Sequence, residues 1–206
     1  MSYAAWLVPS TTTGSGNSTV NVTAGADNTG RNARSTNMTF KAANCEDVVR
    51  QVTQAGKPEF VNIASAASIE KTGGTITISG VSNSKKLTFS LASGGTLALT
   101  LPTTYTANSI STNNGAEISG DPGKTQQYAF SIQFANVAVN PTIVAKSCQL
   151  IVTDEGGHTA TCTITQAAGD ATLSVSPASV TLDWDAYTEG TSASFTVESN
   201  TNWTIE

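Results

Sequence analysis

Apolar and polar residues alternate in short runs along almost the whole chain. Tyr128, Phe130, Ile132 and Phe134 hold every second position, as do Leu87/Phe89/Leu91, Leu97/Leu99/Leu101 and the pair Ile76/Ile78 within Thr75-Ile76-Thr77-Ile78. A period of two sends successive side chains to opposite faces, so each run predicts a strand with one face in a core. Clusters such as Thr13-Gly14-Ser15-Gly16-Asn17 and Asp27-Asn28-Thr29-Gly30-Arg31 break the runs at turn-forming residues. No stretch keeps helical periodicity over three turns. The pattern predicts an all-β chain of tandem immunoglobulin-like β-sandwich modules.

The runs fall into three groups. Residues 1–57 hold Trp6/Val8, Val20/Val22, Met38/Phe40 and Val48 through Val52; residues 58–169 hold about seven strands, enough for a complete sandwich; residues 170–206 start again with Leu173/Val175, Val180/Leu182/Trp184, Phe195/Val197 and Trp203/Ile205. One ending occurs twice. Arg50-Gln51-Val52-Thr53-Gln54-Ala55-Gly56 returns as Cys162-Thr163-Ile164-Thr165-Gln166-Ala167-Ala168-Gly169. A recurring ending in a β-patterned chain marks tandem modules, and here it implies that the chain begins and ends out of phase with them.

Charge narrows the partners. Only 12% of residues are charged and the net charge is −5, with Lys85-Lys86 the lone adjacent basic pair. Nucleic-acid binding needs a concentrated positive footprint, so that class is set aside. No run approaches the roughly 20 apolar residues of a membrane-spanning helix. The opening Met1-Ser2-Tyr3-Ala4-Ala5-Trp6-Leu7-Val8-Pro9 lacks the basic and apolar regions of a secretory signal, which predicts synthesis in a cytoplasm and no membrane partner.

Candidate chemistry is sparse. Cys148 and Cys162 fall on inward positions of adjacent strands joined by Asp154-Glu155-Gly156-Gly157-His158, so both are expected in the core as small apolar fillers. A disulfide between them requires the one register that sets them opposite each other. Cys45 stands apart. The single histidine, His158, lies in a hairpin loop without ligand spacing to the cysteines or an oriented nucleophile. Asp183, Asp185 and Glu189 do not have the spacing of a calcium loop. Gly120-Asp121-Pro122-Gly123-Lys124-Thr125 lacks the first glycine of a phosphate-binding loop and reads as a turn. No catalytic residue, metal or cofactor is expected. As glycan contacts, Trp184 and Tyr187 beside the acidic residues are the candidates, with Tyr105 third in a loop after Pro102. Trp184 also continues the inward alternation of Val180 and Leu182, which favours a core position. Trp6 and Trp203 are expected buried.

Residues 1–57 resemble the second half of a BACON domain, an immunoglobulin-like module common in Bacteroidetes proteins and their phages. The resemblance rests on Trp6-Leu7-Val8-Pro9, Gly14-Ser15-Gly16, Thr19-Val20-Asn21-Val22, Asn28-Thr29-Gly30-Arg31-Asn32-Ala33-Arg34 and Val52-Thr53-Gln54-Ala55-Gly56. Residues 173–206 resemble the first half of such a module, through Leu173-Ser174-Val175-Ser176-Pro177 and Asn200-Thr201-Asn202-Trp203-Thr204-Ile205. The centre is similar to immunoglobulin-like domains of phage structural proteins. The resemblance implies one of two roles. Such modules accompany secreted glycoside hydrolases, where they were proposed to bind carbohydrate or mucin, and they sit in virion proteins of crAss-like phages. With no export signal in view, the expectation is a non-enzymatic virion protein, a head fibre or capsid decoration, whose partners are capsid proteins, further copies of itself and host glycans. The alternative is a carbohydrate-adhesive module of a surface or secreted protein. Half sandwiches leave edges unpaired, so strands carrying Trp6, Val8, Phe195, Val197, Trp203 and Ile205 are candidates for exchange between subunits. A tandem array cut at Glu206, or closure within one chain, remain alternatives.

Overall fold

The computed structural model describes residues 3–182, 184 and 192–206. The chain is all-β: among the described residues the regular elements are strands, apart from a 3-10 turn at Pro122–Lys124. Four strands come first, β1 (Leu7–Pro9), β2 (Val22–Ala24), β3 (Arg34–Phe40) and β4 (Val48–Gln54), paired as β1–β2 and β3–β4. The central sandwich follows, with β5 (Val61–Ile63), β6 (Ala66–Ile69), β7 (Gly74–Ser82), β8 (Leu87–Leu91), β9 (Thr104–Ala107), β10 (Ile110–Asn113), β11 (Tyr128–Val137), β12 (Lys146–Asp154) and β13 (Thr159–Gln166). One further pair closes the description, β14 (Leu173–Ser176) with β15 (Thr196–Ser199).

In the sandwich one sheet runs β10-β9-β11-β7-β5 and the other β6-β13-β12-β8. All neighbours are antiparallel except β6, which lies parallel to β13. The alternation seen in the sequence sets the two faces. Ile76 and Ile78 of β7 and Phe130, Ile132 and Phe134 of β11 turn inward, while Thr77, Ser79 and Gln133 face water. Against them the second sheet presents Leu87, Phe89, Leu150, Val152, Cys162 and Ile164, all buried. Phe89 sits at the centre, its ring 4.7 Å from that of Tyr105 and 5.8 Å, edge-on, from that of Phe130. Edge-on pairs set the positive ring edge against the negative face of a neighbour, which adds to the gain from burial.

The register decides the cysteines. Leu150 stands opposite Cys162, and Cys148 opposite Ile164, so the two thiols are two positions out of step and remain free. Both are buried as expected, and burial raises the Cys162 thiol above its ordinary pKa.

Four expectations need correction. Leu97, Leu99 and Leu101 pack on the core but form no strand; the N–H groups of Thr96 and Leu97 both donate to the Ser147 carbonyl, at 2.8 and 2.9 Å, and bend the chain across the sheet end. Tyr105 is in a strand and not in a loop. A two-residue turn with positive φ at both Asn108 (48°) and Ser109 (64°) folds Thr104–Asn113 into a hairpin, the twist such hairpins favour. On β1 it is Leu7 that is buried and Val8 that is exposed, because Trp6 belongs to the turn closed by the Leu7 N–H and Ala4 carbonyl. Trp203 is exposed, outside any strand.

These positions predict that Cys45 alone reacts with a thiol reagent in the folded chain, the other two of the three cysteines following only in denaturant. Reaction of Cys148 or Cys162 under native conditions would contradict the register. Leu150→Ala should cost about 2–5 kcal/mol of stability, read from urea unfolding.

Candidate functional site at the module joints

The repeated ending is a buckle. Gln54 donates through Nε2 to the Ala26 carbonyl at 3.1 Å, and Gln166 donates in the same way to Ala138 at 2.7 Å. An asparagine fastens the other side. Asn28 Nδ2 donates to the carbonyls of Asn32 and Ala55, and Asn140 Nδ2 to those of Val144 and Ala167. The two sets are related by one offset of 112 positions, as are the strand registers Arg34↔Gln54 and Lys146↔Gln166. Side-chain amides suit this work because they donate and accept at once, leaving few backbone groups unpaired where strands end.

A joint follows each buckle. At the first, the fully buried Asn83 donates through Nδ2 to Lys57, Pro58 and Thr29 carbonyls at 3.1, 3.2 and 3.3 Å, and its Oδ1 accepts the Phe60 N–H at 3.0 Å. At the second, Asn200 donates to Asp170 and Pro141 at 2.8 and 3.0 Å and accepts the Thr172 N–H at 2.8 Å. Ser82 and Ser199 add matching bonds to the Phe60 and Thr172 carbonyls, at 2.7 and 2.8 Å. The two linkers are therefore held by the same device.

The first joint carries more. Arg31 donates through Nε to the Asn83 carbonyl at 2.6 Å and forms an ion pair with Asp121, while its backbone N–H donates to Gly123 at 2.8 Å. Close approach requires glycine here: a Cβ on Gly123 would stand 1.9 Å from the Asn83 carbonyl oxygen, and one on Gly30 would stand 2.3 Å from the Thr125 carbonyl carbon. Ile143 holds the place of Arg31 at the second joint, so no such clamp forms. Lys71 instead pairs with Asp170 at 2.5 Å across an exposed surface, a contact of little energetic weight. Asn200 is correspondingly exposed.

Open apolar surface lies beyond both joints. Phe195, Val197, Trp203 and Ile205 join Leu173 and Val175 around a groove of about 280 Å³, with Ile205 85% exposed. The structure thus brings together the four C-terminal exchange candidates. Trp6 and Val8 do not share a face; Trp6 is half-buried with the Arg34 guanidinium 4.9 Å from its ring.

The glycan candidates separate. Trp184 is 93% exposed, against the core position favoured by its alternation. Tyr187 lies outside the described residues. Tyr105 is buried against Phe89, with burial raising its hydroxyl pKa, so its ring offers no platform. The outer face around it is a shallow polar cleft of about 300 Å³ that includes Thr77, Thr106, Ser111, Ser131 and Gln133. The His158 ring binds Asp154 at 2.9 Å and closes the hairpin loop. Among the described residues no group of three or more His, Cys, Asp and Glu could hold a metal ion.

Comparison with known families bears on the first joint. Residues 1–55 match the model of the BACON family. Its description reads "Putative binding domain, N-terminal". The match includes Asn28, Arg31 and Gln54, so the first buckle and half of the first joint lie within the matched residues. No curated protein matches the chain. The joint asparagines were not singled out from the sequence, although Ser82-Asn83-Ser84 and Ser199-Asn200-Thr201 are a recognisable pair.

Asn83→Ala leaves three carbonyls and one N–H without their partner, and should cost about 1–3 kcal/mol for each group left dry. Asn200→Ala, where water can replace the amide, should shift the urea midpoint far less. Equal losses at the two positions would contradict the difference in burial.

Proposed function

We propose that the chain is a non-enzymatic structural protein of a bacteriophage virion, a head fibre or capsid decoration built from immunoglobulin-like modules fastened end to end. The observation that carries the reading is the joint built twice to one plan, around Asn83 and around Asn200. A flexible tether between independent binding modules needs no such construction; a spacer that must hold direction does. The three modules of this reading are residues 1–57, 58–169 and 170–206, the first and last being parts of sandwiches. Its partners are capsid proteins and further copies, with the virion as location. The net charge of −5 weighs against nucleic acid as a partner.

A second reading, a carbohydrate-adhesive module of a bacterial surface or secreted protein, draws on two observations. The BACON description names binding, and Trp184 is 93% exposed. Mass spectrometry of purified particles of a phage encoding the chain should find it in stoichiometric amount. Its absence from particles, together with glycan-array binding lost in Trp184→Ala, would replace the structural reading with the adhesive one.

A further inference from the structure

We infer that the outer face of the first sheet of the central sandwich carries a binding site for an uncharged sugar, in the shallow cleft lined by Thr77, Thr104, Thr106, Ser111, Ser131 and Gln133. All six belong to strands of that sandwich. The inference rests on the adhesive reading above and gives it a place on the fold and a ligand class.

Strand register builds the cleft. Ser111 of β10 stands opposite Thr106 of β9, Thr106 opposite Ser131 of β11, and Ser131 opposite Ser79 of β7. One row of hydroxyl groups therefore crosses four strands, at the spacing of about 4.8 Å between neighbouring strands. A second row runs alongside, with Asn113 opposite Thr104 on the hairpin and Gln133 opposite Thr77 on β11 and β7. These side chains share the outer face because Tyr105, Ile78, Phe130 and Ile132 take the alternate, inward positions and are buried. Tyr105 holds the cleft from beneath, its ring 4.7 Å from that of Phe89. Pro102 adds to the lining where the chain enters the hairpin.

The chemistry of the lining selects the ligand. Gln133 donates to the Thr77 hydroxyl at 3.4 Å, while the hydroxyls of Thr104, Thr106, Ser111 and Ser131 bond to no other group among the described residues. Each hydroxyl offers one donor and two acceptor positions, so a group of them matches the mixed donors and acceptors of a sugar. The twenty-seven residues of β7, β9, β10 and β11 include no Asp, Glu, Lys or Arg, where 12% charged residues would give about three. Without a cation the cleft cannot offset the desolvation of a carboxylate, sulfate or phosphate, and the net charge of −5 repels such groups. An apolar ligand is disfavoured too, since each hydroxyl it covered would lose its water and gain no bond. What fits is polar and neutral throughout, a hexose or an N-acetylhexosamine.

Size sets the affinity. About 300 Å³ is the lower end of the range for small-ligand clefts, with room for one ring at the end of a glycan. With Tyr105 turned inward, no lining residue offers an aromatic face for stacking. A single site therefore binds weakly, in the millimolar range, and display of many copies raises the binding by avidity. The other sheet supplies a comparison within the same molecule. Thr159, Thr161, Thr163 and Thr165 alternate along β13 and make its outer face as rich in hydroxyls, so variants of the two faces separate arrangement from composition.

The test is an NMR titration of the isotope-labelled full chain with the methyl glycosides of glucose, galactose, mannose and N-acetylglucosamine, and with N-acetylneuraminic acid as the charged comparison. At least one neutral glycoside should shift the amides of Thr106, Ser131 and Gln133 saturably, and N-acetylneuraminic acid should not. Removing two hydroxyls, in the double variant Thr106→Val with Ser131→Ala, should weaken that binding by roughly tenfold with the rest of the spectrum unchanged. Thr163→Val on the other sheet should leave it as it was. Cleft amides that do not move, in a chain that still binds neutral glycans on an array, would overturn the inference alone. Binding kept in the double variant and lost in Trp184→Ala would do the same, leaving the adhesive reading on another surface. No binding in either assay would overturn the inference and the adhesive reading together.

Discussion

One amide side chain holds the direction of the molecule. Asn83 is fully buried at the end of β7, and its three donated bonds and one accepted bond tie the linker from both sides. A buried amide in this position is costly if any partner moves away, since the freed carbonyl or N–H has no water to replace it. The linker thus has one low-energy path, and the strands before and after it inherit a fixed relation. Arg31 strengthens the arrangement by reaching from the N-terminal segment to the Asn83 carbonyl and to Asp121. Because the ion pair is only partly exposed, solvent screening weakens it less than it would a surface pair.

The same device at Asn200 shows what the surroundings add. Two donated bonds and one accepted bond hold the linker there, against three and one at Asn83; no arginine clamp covers them, and the amide meets water. Rigidity here is graded: a dry joint on one side of the sandwich, a wet one on the other. The exposed apolar residues lie past the wet joint and on the hairpin before the dry one. Side chains such as Phe195 and Phe40 gain from being covered, by roughly 1.5–3 kcal/mol each when fully buried.

The sandwich itself was legible in the sequence because its signal is local. Strict alternation at Tyr128–Phe134 and around Ile76–Ile78 specifies which face is inward without reference to anything distant, and the two cysteines followed from the same periodicity. Where alternation misled, a nonlocal bond had taken over the backbone. Leu97–Leu101 has the pattern of a strand, yet Ser147, about fifty positions on in the chain, captures its first N–H groups. Tyr105 lies in a strand because Asn108-Ser109 makes a two-residue hairpin turn without the glycine that usually signals one. Trp184 broke its own alternation: Val180 and Leu182 predict it inward, and it is exposed. The joints were the hardest to see: Asn83 and Asn200 are ordinary turn residues until their partners, up to fifty-nine positions away, are known.

The central claim, that the N-terminal segment and the sandwich form one rigid unit through Asn83, is tested most directly by residual dipolar couplings of backbone amides on either side of Lys57. A single alignment tensor should fit residues 28–56 and the central sandwich together, and should split in Asn83→Ala. Two independent tensors in the wild-type chain would contradict it.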